Sequence, residues 1–244
     1  MRNIRIHVAT ALQVGTEVTL PAPAAAHVLR VLRLRAGAAL TLFNGDGHDY
    51  PAHLTSASGR DAAVQIESRQ AVTRESPLRI TLAQAVARGE KMDWIVQKAT
   101  ELGVAAIVPL VTERSEVKLD DGRAAKRLEH WRAVAIAACE QSGRAIVPAL
   151  HPAQPLAAWL TALAADPHST RLVLHPGEAR APRALQPTPH SVIAVGPEGG
   201  FGDGDLAALH TAGFAKLSLG PRILRTETAG LAAIAVLQAL FGDF

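Results

Sequence analysis

Short apolar or alternating runs fill the first part of the chain, and helical periodicity dominates only later. Residues 5–9 (RIHVA) and 17–20 (EVTL) read as strands. Pro23 opens the stretch PAAAHVLRVLRL, where a proline suits a first helical turn. On that helix Val28, Val31 and Leu32 share one face, with His27, Arg30 and Arg33 on another. AALTLFNGDG ends in an Asn44-Gly45-Asp46-Gly47 turn, and HDYPAHLTSA and AAVQIES follow it as strands. Several strands within about seventy residues, with little helix, predict a small all-β barrel.

The rhythm changes at residues 68–77 (SRQAVTRESP), a polar stretch ending in proline. A domain boundary is expected there, giving domains of residues 1–72 and 73–244. Beyond it, strands alternate with helices. RITLAQAV, AAIVPLV, AIVPAL, RLVLHP, SVIAVGPE and AKLSLG read as strands. GEKMDWIVQKATELG, GRAAKRLEHWRAVAIAACEQSGR, LAAWLTALAA, GDLAALHTAGF and TETAGLAAIAVLQALF read as helices. This order predicts an α/β domain with a mostly parallel sheet covered on both faces. The last helix is apolar nearly all round, so burial in a core or a subunit interface is expected.

At 244 residues and 48% hydrophobic, the chain can bury a sizeable core. Its one cysteine, Cys139, excludes an intramolecular disulfide and suits a reducing compartment. The first ten residues lack the apolar core of a signal peptide, and no uncharged apolar stretch reaches the length of a membrane span. A cytoplasmic protein without membrane attachment is expected. The net charge is only +3, but residues 1–35 hold Arg2, Arg5, Arg30, Arg33 and Arg35 against the single Glu17. That imbalance is a candidate footprint for nucleic acid, and equally a solvated basic face. The ten histidines are scattered with no second ligand at a metal spacing, so no metal is expected.

Ligands of open parallel sheets sit beyond the carboxyl ends of the strands. Three late loops occupy that position: residues 174–178 (LHPGE), 195–202 (VGPEGGFG) and 218–229 (SLGPRILRTETA). VGPEGGFG matches neither the dinucleotide nor the P-loop pattern, and Glu198 would repel a pyrophosphate. Adenine, ribose hydroxyls and a cationic centre suit a glycine loop with one carboxylate better, and S-adenosylmethionine has all three. In the last loop Thr226 reads as a helix N-cap, and Glu227 favours the helix dipole. Arg225 either pairs with a neighbouring carboxylate or steadies negative charge beside a cofactor loop. Cys139 lies in an alanine-rich helix, where a lone cysteine is usually a buried small hydrophobe.

Taken together, HVLRVLRLRAG, LFNGDG, RGEKMDWIVQKATELGV, TERS, AIAACEQSGR, VGPEGGF and LGPRILRTETA resemble one family, in this order and over essentially the whole chain. It is the bacterial 16S ribosomal RNA uracil-N3 methyltransferases, the RsmE-type members of the SPOUT class. The resemblance implies an N-terminal PUA-like RNA-binding barrel and a C-terminal α/β SPOUT domain with a deep trefoil knot, an exception to unknotted topology. It also implies a homodimer that uses S-adenosylmethionine to methylate N3 of one uridine (position 1498 in standard numbering) of 16S rRNA in the small ribosomal subunit. The cofactor pocket would be built by Leu174 and His175, by Gly196, Pro197, Glu198, Gly199 and Gly200, and by Leu219, Gly220, Ile223, Leu224 and Arg225. Two departures, Asp205 where many relatives have glutamate and Gly202 where serine is common, bear on the capping of the next helix.

N3 of uracil is a weak nucleophile until its proton is lost, so the base must be unpaired or extruded. Arg225 is expected to stabilise charge on the uracil carbonyl oxygens, and Glu198 or Glu227 to take the proton. Arg5, Arg30, Arg33, Arg144 and Arg222 are expected to meet the RNA. N3 attack needs no cysteine, so methyl transfer should survive Cys139→Ser. The alternatives are a ribose 2′-O-methyltransferase of the same class and a non-catalytic RNA-binding protein.

Overall fold

The computed structural model describes residues 4–116, 121–163, 166, 168–177 and 179–244, so Arg2 and Glu178 lie outside the described residues. The chain forms two compact units. One comprises residues 1–75 with 139–147, and the other residues 76–138 with 148–244. The expected boundary after residue 72 thus differs by three residues, and the segment 139–147 joins the first unit rather than the second.

The first unit holds β1 (Arg5–His7), β2 (Glu17–Thr19), α1 (Ala22–Ala26), β3 (Ala39–Phe43), β4 (His48–Ser58), β5 (Asp61–Ile66) and β6 (Gln70–Ala71). The strands run in the order β1-β3-β4-β5-β2, with β6 beside β4. Among the described residues of this unit, only the β1–β3 pair is parallel, and β1 and β2 end the strand order. Period-two alternation builds the core: Leu40 and Leu42 of β3, Tyr50, Ala52 and Leu54 of β4, and Ala62, Val64 and Ile66 of β5 are buried together. Ala25 and Val28 cap that face.

The helix expected after Pro23 does not stay α-helical. It widens into a π turn over His27–Val31, where Leu32 N–H donates to His27 O at 2.9 Å. The wider turn changes the phase of the face. Val28 remains buried, Leu29 and Leu32 pack on the core, and Val31 is 68% exposed, contrary to the expected apolar stripe. Arg33, with φ of 53°, ends the segment, and Leu34 N–H closes back on Val28 O at 3.0 Å. Arg30 and Arg33 are both exposed.

The other face of β1 and β3 is covered by residues 139–147, and here two expected RNA contacts are turned inward. Arg5 is buried: it donates to Asp49 Oδ1 at 2.5 Å, to Cys139 O at 3.1 Å and to Arg144 O at 3.2 Å. Its guanidinium also lies 4.6 Å from the centre of the Phe43 ring. Arg144 is buried too and makes a two-pronged pair with Glu75, Nε to Oε1 at 3.1 Å and Nη2 to Oε2 at 2.5 Å. Both arginines are thus held inside the protein, where a buried cation needs a fixed anionic partner. Cys139 is fully buried, and burial pushes its thiol up to about 11.

The second unit is built on β7 (Arg79–Ala85), β8 (Ala106–Val111), β9 (Ala149–Leu150), β10 (Gln154–Pro155), β11 (Ser169–Leu174), β12 (His190–Val195) and β13 (Ala215–Leu217). The order is β10-β8-β7-β12-β11-β13, with β9 also on β8, and every pair is parallel. The helices are α2 (Lys91–Glu101), α3 (Asp121–Ser142, whose residues from 139 on belong to the first unit), α4 (Leu156–Ala162), α5 (Asp203–Thr211) and α6 (Thr226–Phe241). The strand expected over residues 145–150 shrinks to β9, because residues 145–147 belong to the first unit, where Gly47 N–H bonds Ala145 O. α6 buries Gly230, Ala233, Ile234, Leu237 and Gln238 and leaves Leu240 40% exposed. No described helix is long and apolar enough to cross a membrane.

Candidate functional site

β7, β12, β11 and β13 are consecutive neighbours and parallel, so their following loops leave one edge of the sheet. Those loops enclose a cavity of about 620 Å³, within the range of small-molecule sites. One wall is Val195–Phe201 after β12, a second Leu217–Gly220 and Arg222–Glu227 after β13, and a third Leu174–Pro176 after β11. Every residue expected at the cofactor, from Leu174 and His175 to Leu224 and Arg225, lies on this lining, as do Arg222 and Glu227.

Two glycines explain the bare backbone of the first wall. A Cβ on Gly196 would lie 3.0 Å from Phe201 N and 3.1 Å from Gly200 C, because the loop folds back on itself. Gly200, at φ of 70°, closes the turn by donating to Pro197 O at 2.9 Å. The loop is then tied to α6: Thr226 Oγ1 donates to Gly196 O at 2.6 Å. Thr226 is therefore not the N-cap expected of it. Arg225 holds that position with extended backbone, its carbonyl accepting from Thr228 and Ala229 N–H. After the loop, Asp205 accepts from Gly202 N–H and Glu113 N–H, each at 3.1 Å, so the shorter acid still reaches the start of α5.

Glu198 points to an unforeseen partner. Lys91 Nζ, on the first turn of α2, donates to Glu198 Oε1 at 2.9 Å, and Arg88 N–H donates to the same oxygen at 3.3 Å. Burial raises the Glu198 carboxyl, but Lys91 and the backbone N–H groups of Glu198 itself and of Arg88 outweigh it and hold it below its ordinary value. Lys91 is raised in turn, first by its hydrogen bond to Glu198. Lys91 also lies 3.6 Å from Glu227 Oε2, too far for a hydrogen bond, and that buried oxygen has no hydrogen-bond partner among the described residues. His175 Nδ1 is likewise buried without one. Arg225 and Arg222 are exposed at the cavity, Ile223 between them is 84% exposed, and Arg114 Nη1 donates to Gly199 O at 3.0 Å. Lys91 and Arg114 escaped notice in the sequence because each finds its partner some 85 to 107 residues away. Among the described residues no three His, Cys, Asp or Glu side chains are grouped to hold a metal.

The α/β unit with its edge cavity and the β-rich unit each match a family model of RNA methyltransferases. The RNA methyltransferase domain model matches residues 74–238, and the RNA methyltransferase PUA domain model matches residues 20–67. The chain belongs to the ribosomal RNA small subunit methyltransferase E family. It is 32% identical to that enzyme from Buchnera aphidicola, over 89% of this chain and 86% of the relative, and 34% identical to the Bacillus subtilis one, over 87% and 86%. Among solved structures, the family member from Neisseria gonorrhoeae bound to S-adenosylmethionine is 40% identical over the whole of both chains, with a TM-score of 0.92. A Legionella pneumophila protein with the same cofactor bound is 42% identical, again over both whole chains, with a TM-score of 0.95.

Proposed function

We propose that this chain transfers a methyl group from S-adenosylmethionine to N3 of a uridine in 16S rRNA, at position 1498 in standard numbering. The observation that carries the reading is the cavity at the sheet edge, whose walls are the loops after β11, β12 and β13. The residues present fit the cofactor. The volume suits a nucleoside-sized ligand, Gly196, Gly199 and Gly200 present backbone to it, and among the described residues Glu227 Oε2 and His175 Nδ1 are buried polar atoms without a hydrogen-bond partner. Within this reading the second unit carries the deep trefoil knot of the SPOUT class, and the enzyme works as a cytoplasmic homodimer on the small ribosomal subunit.

When bound, the cofactor supplies an activated methyl group on a sulfonium centre. The chain's own residues supply the rest. Arg225, exposed at the cavity and without a side-chain ion pair among the described residues, stabilises negative charge growing on a uracil carbonyl oxygen. Of the two carboxylates, Glu198 is already held by Lys91, so Glu227, with an oxygen free of hydrogen bonds, is the better placed acceptor for the N3 proton. Arg30 and Arg33 hold RNA phosphates from the first unit, and Arg222 does so at the cavity. Small-subunit RNA incubated with labelled cofactor, digested to nucleosides and analysed by mass spectrometry should yield N3-methyluridine. A 2′-O-methylated nucleoside, or no labelled product, would refute the assignment.

A further inference from the structure

We propose that Gln84 and Thr226 form a positioning relay that holds two walls of the cavity together, and that the chain's affinity for its cofactor depends on it. The inference rests on the reading that this cavity takes S-adenosylmethionine.

The relay runs between two backbone carbonyls. Gln84 Nε2 donates to Ala85 O at 3.0 Å and to Thr226 Oγ1 at 2.9 Å, and Thr226 Oγ1 donates to Gly196 O at 2.6 Å. Carbonyl oxygens only accept, so the polarity is set from both ends. Thr226 has one proton and must give it to Gly196 O. Its oxygen must then accept from Gln84, whose two amide hydrogens are both consumed. The consequence is visible: among the described residues Gln84 Oε1 is left buried with no hydrogen-bond partner. A buried orphan acceptor is costly, and flipping the amide would set its oxygen against Ala85 O instead. The fold keeps the orphan and with it the relay.

Placement shows what the relay controls. Gln84 is wholly buried near the end of β7 and does not line the cavity. Gly196 begins the glycine wall directly after β12, while Thr226 opens α6 between Arg225 and Glu227 of the facing wall. Gly230 lets α6 approach closely enough for this: a Cβ there would lie 3.3 Å from both Gln84 Oε1 and Leu82 Cδ1. The relay therefore joins three elements at the back of the cavity. Gln84 acts through the backbone it holds, whereas Thr226 both holds that backbone and lines the cavity, so Gln84→Met is the variant that reads the relay alone.

The test measures equilibrium binding of S-adenosylmethionine to the full chain, alongside thermal unfolding of the cofactor-free protein. Thr226→Val keeps the shape and removes the proton, leaving Gly196 O unpaired, and should weaken binding about tenfold. Thr226→Ser restores the hydroxyl and should bind within about threefold of the parent, a difference well under one decade of affinity. Gln84→Met keeps the volume, removes the donor, and should fall between them. Equal affinity of the parent and Thr226→Val overturns the relay while leaving the cavity's assignment standing. So does Thr226→Ser binding as weakly as Thr226→Val, or a loss of affinity matched by an equal loss of folded protein. Absence of binding by the parent chain overturns the cavity's assignment and the relay with it.

Discussion

Each unit of this chain contains a buried polar network, and the two differ in kind. In the first, the participants are charged: Arg5 with Asp49, and Arg144 with Glu75, with Arg5 also reaching the carbonyls of residues 139 and 144. In the second they are neutral: Gln84, Thr226 and the Gly196 carbonyl. The charged network spends its cations on partners inside the same unit. The neutral one adjoins a cavity whose lining includes the exposed Arg225 and Arg222. Charge type along a sequence thus says little about role. Arg5 and Arg144 serve the fold, whereas the exposed arginines are available to a substrate.

The largest effect is expected of Arg5→Ala. It leaves the buried Asp49 with the largely exposed Arg74, whose Nη1 lies 3.9 Å from Oδ2, and loss of one partner of a buried pair costs at most about 3–5 kcal/mol. Urea unfolding of the full chain should show that loss, while cofactor affinity of the folded protein stays unchanged. An RNA-specific defect at undiminished stability would instead return Arg5 to the substrate. Next in size is Arg225→Ala. Turnover should fall about 10²–10³-fold, as for removal of one preorganised donor, with stability and cofactor affinity near those of the parent. Equal losses in turnover and affinity would make Arg225 a binding residue.

These contrasts also mark where the sequence was informative. The alternation of β4 and β5 and the strand-helix rhythm after residue 77 were legible, because side-chain periodicity follows directly from burial of one face or two. The three loops after β11, β12 and β13 were legible as a group, because parallel strands deliver their ends to one edge. Three features were not. The π turn at His27–Val31 shifts phase by a backbone choice that leaves no mark in composition. The capture of residues 139–147 by the first unit depends on contacts more than 130 positions apart, such as Arg5 with Cys139. The Lys91–Glu198 pair spans 107 positions, so Glu198 looked free when it was already held.

Smaller effects sharpen the same division. Arg30→Ala and Arg33→Ala should each weaken RNA binding without changing stability, and each should lower the slope of log affinity against log salt by about 0.7–0.9. An unchanged slope would remove these arginines from the RNA contact. Smallest is Glu198→Gln. The Glu198 carboxyl is depressed, so its contribution is present above the ordinary carboxylate value and lost as pH falls through the lowered one. Lys91 is raised, so its share is complete below its ordinary value and lost only as pH rises through the raised one. The pair therefore persists across neutral pH. Because both groups are about one-third exposed, the stability gap between parent and variant should be at most about 1 kcal/mol. That gap should close in acid; a gap independent of pH would deny the ion pair.

What occupies the cavity of the second unit decides the function of the chain. Equilibrium dialysis of the full chain against labelled S-adenosylmethionine tests that most directly. Saturable binding, displaced by the demethylated product S-adenosylhomocysteine and weakened by Thr226→Val but not by Arg30→Ala, is the predicted result. No saturable binding by the folded chain would contradict it.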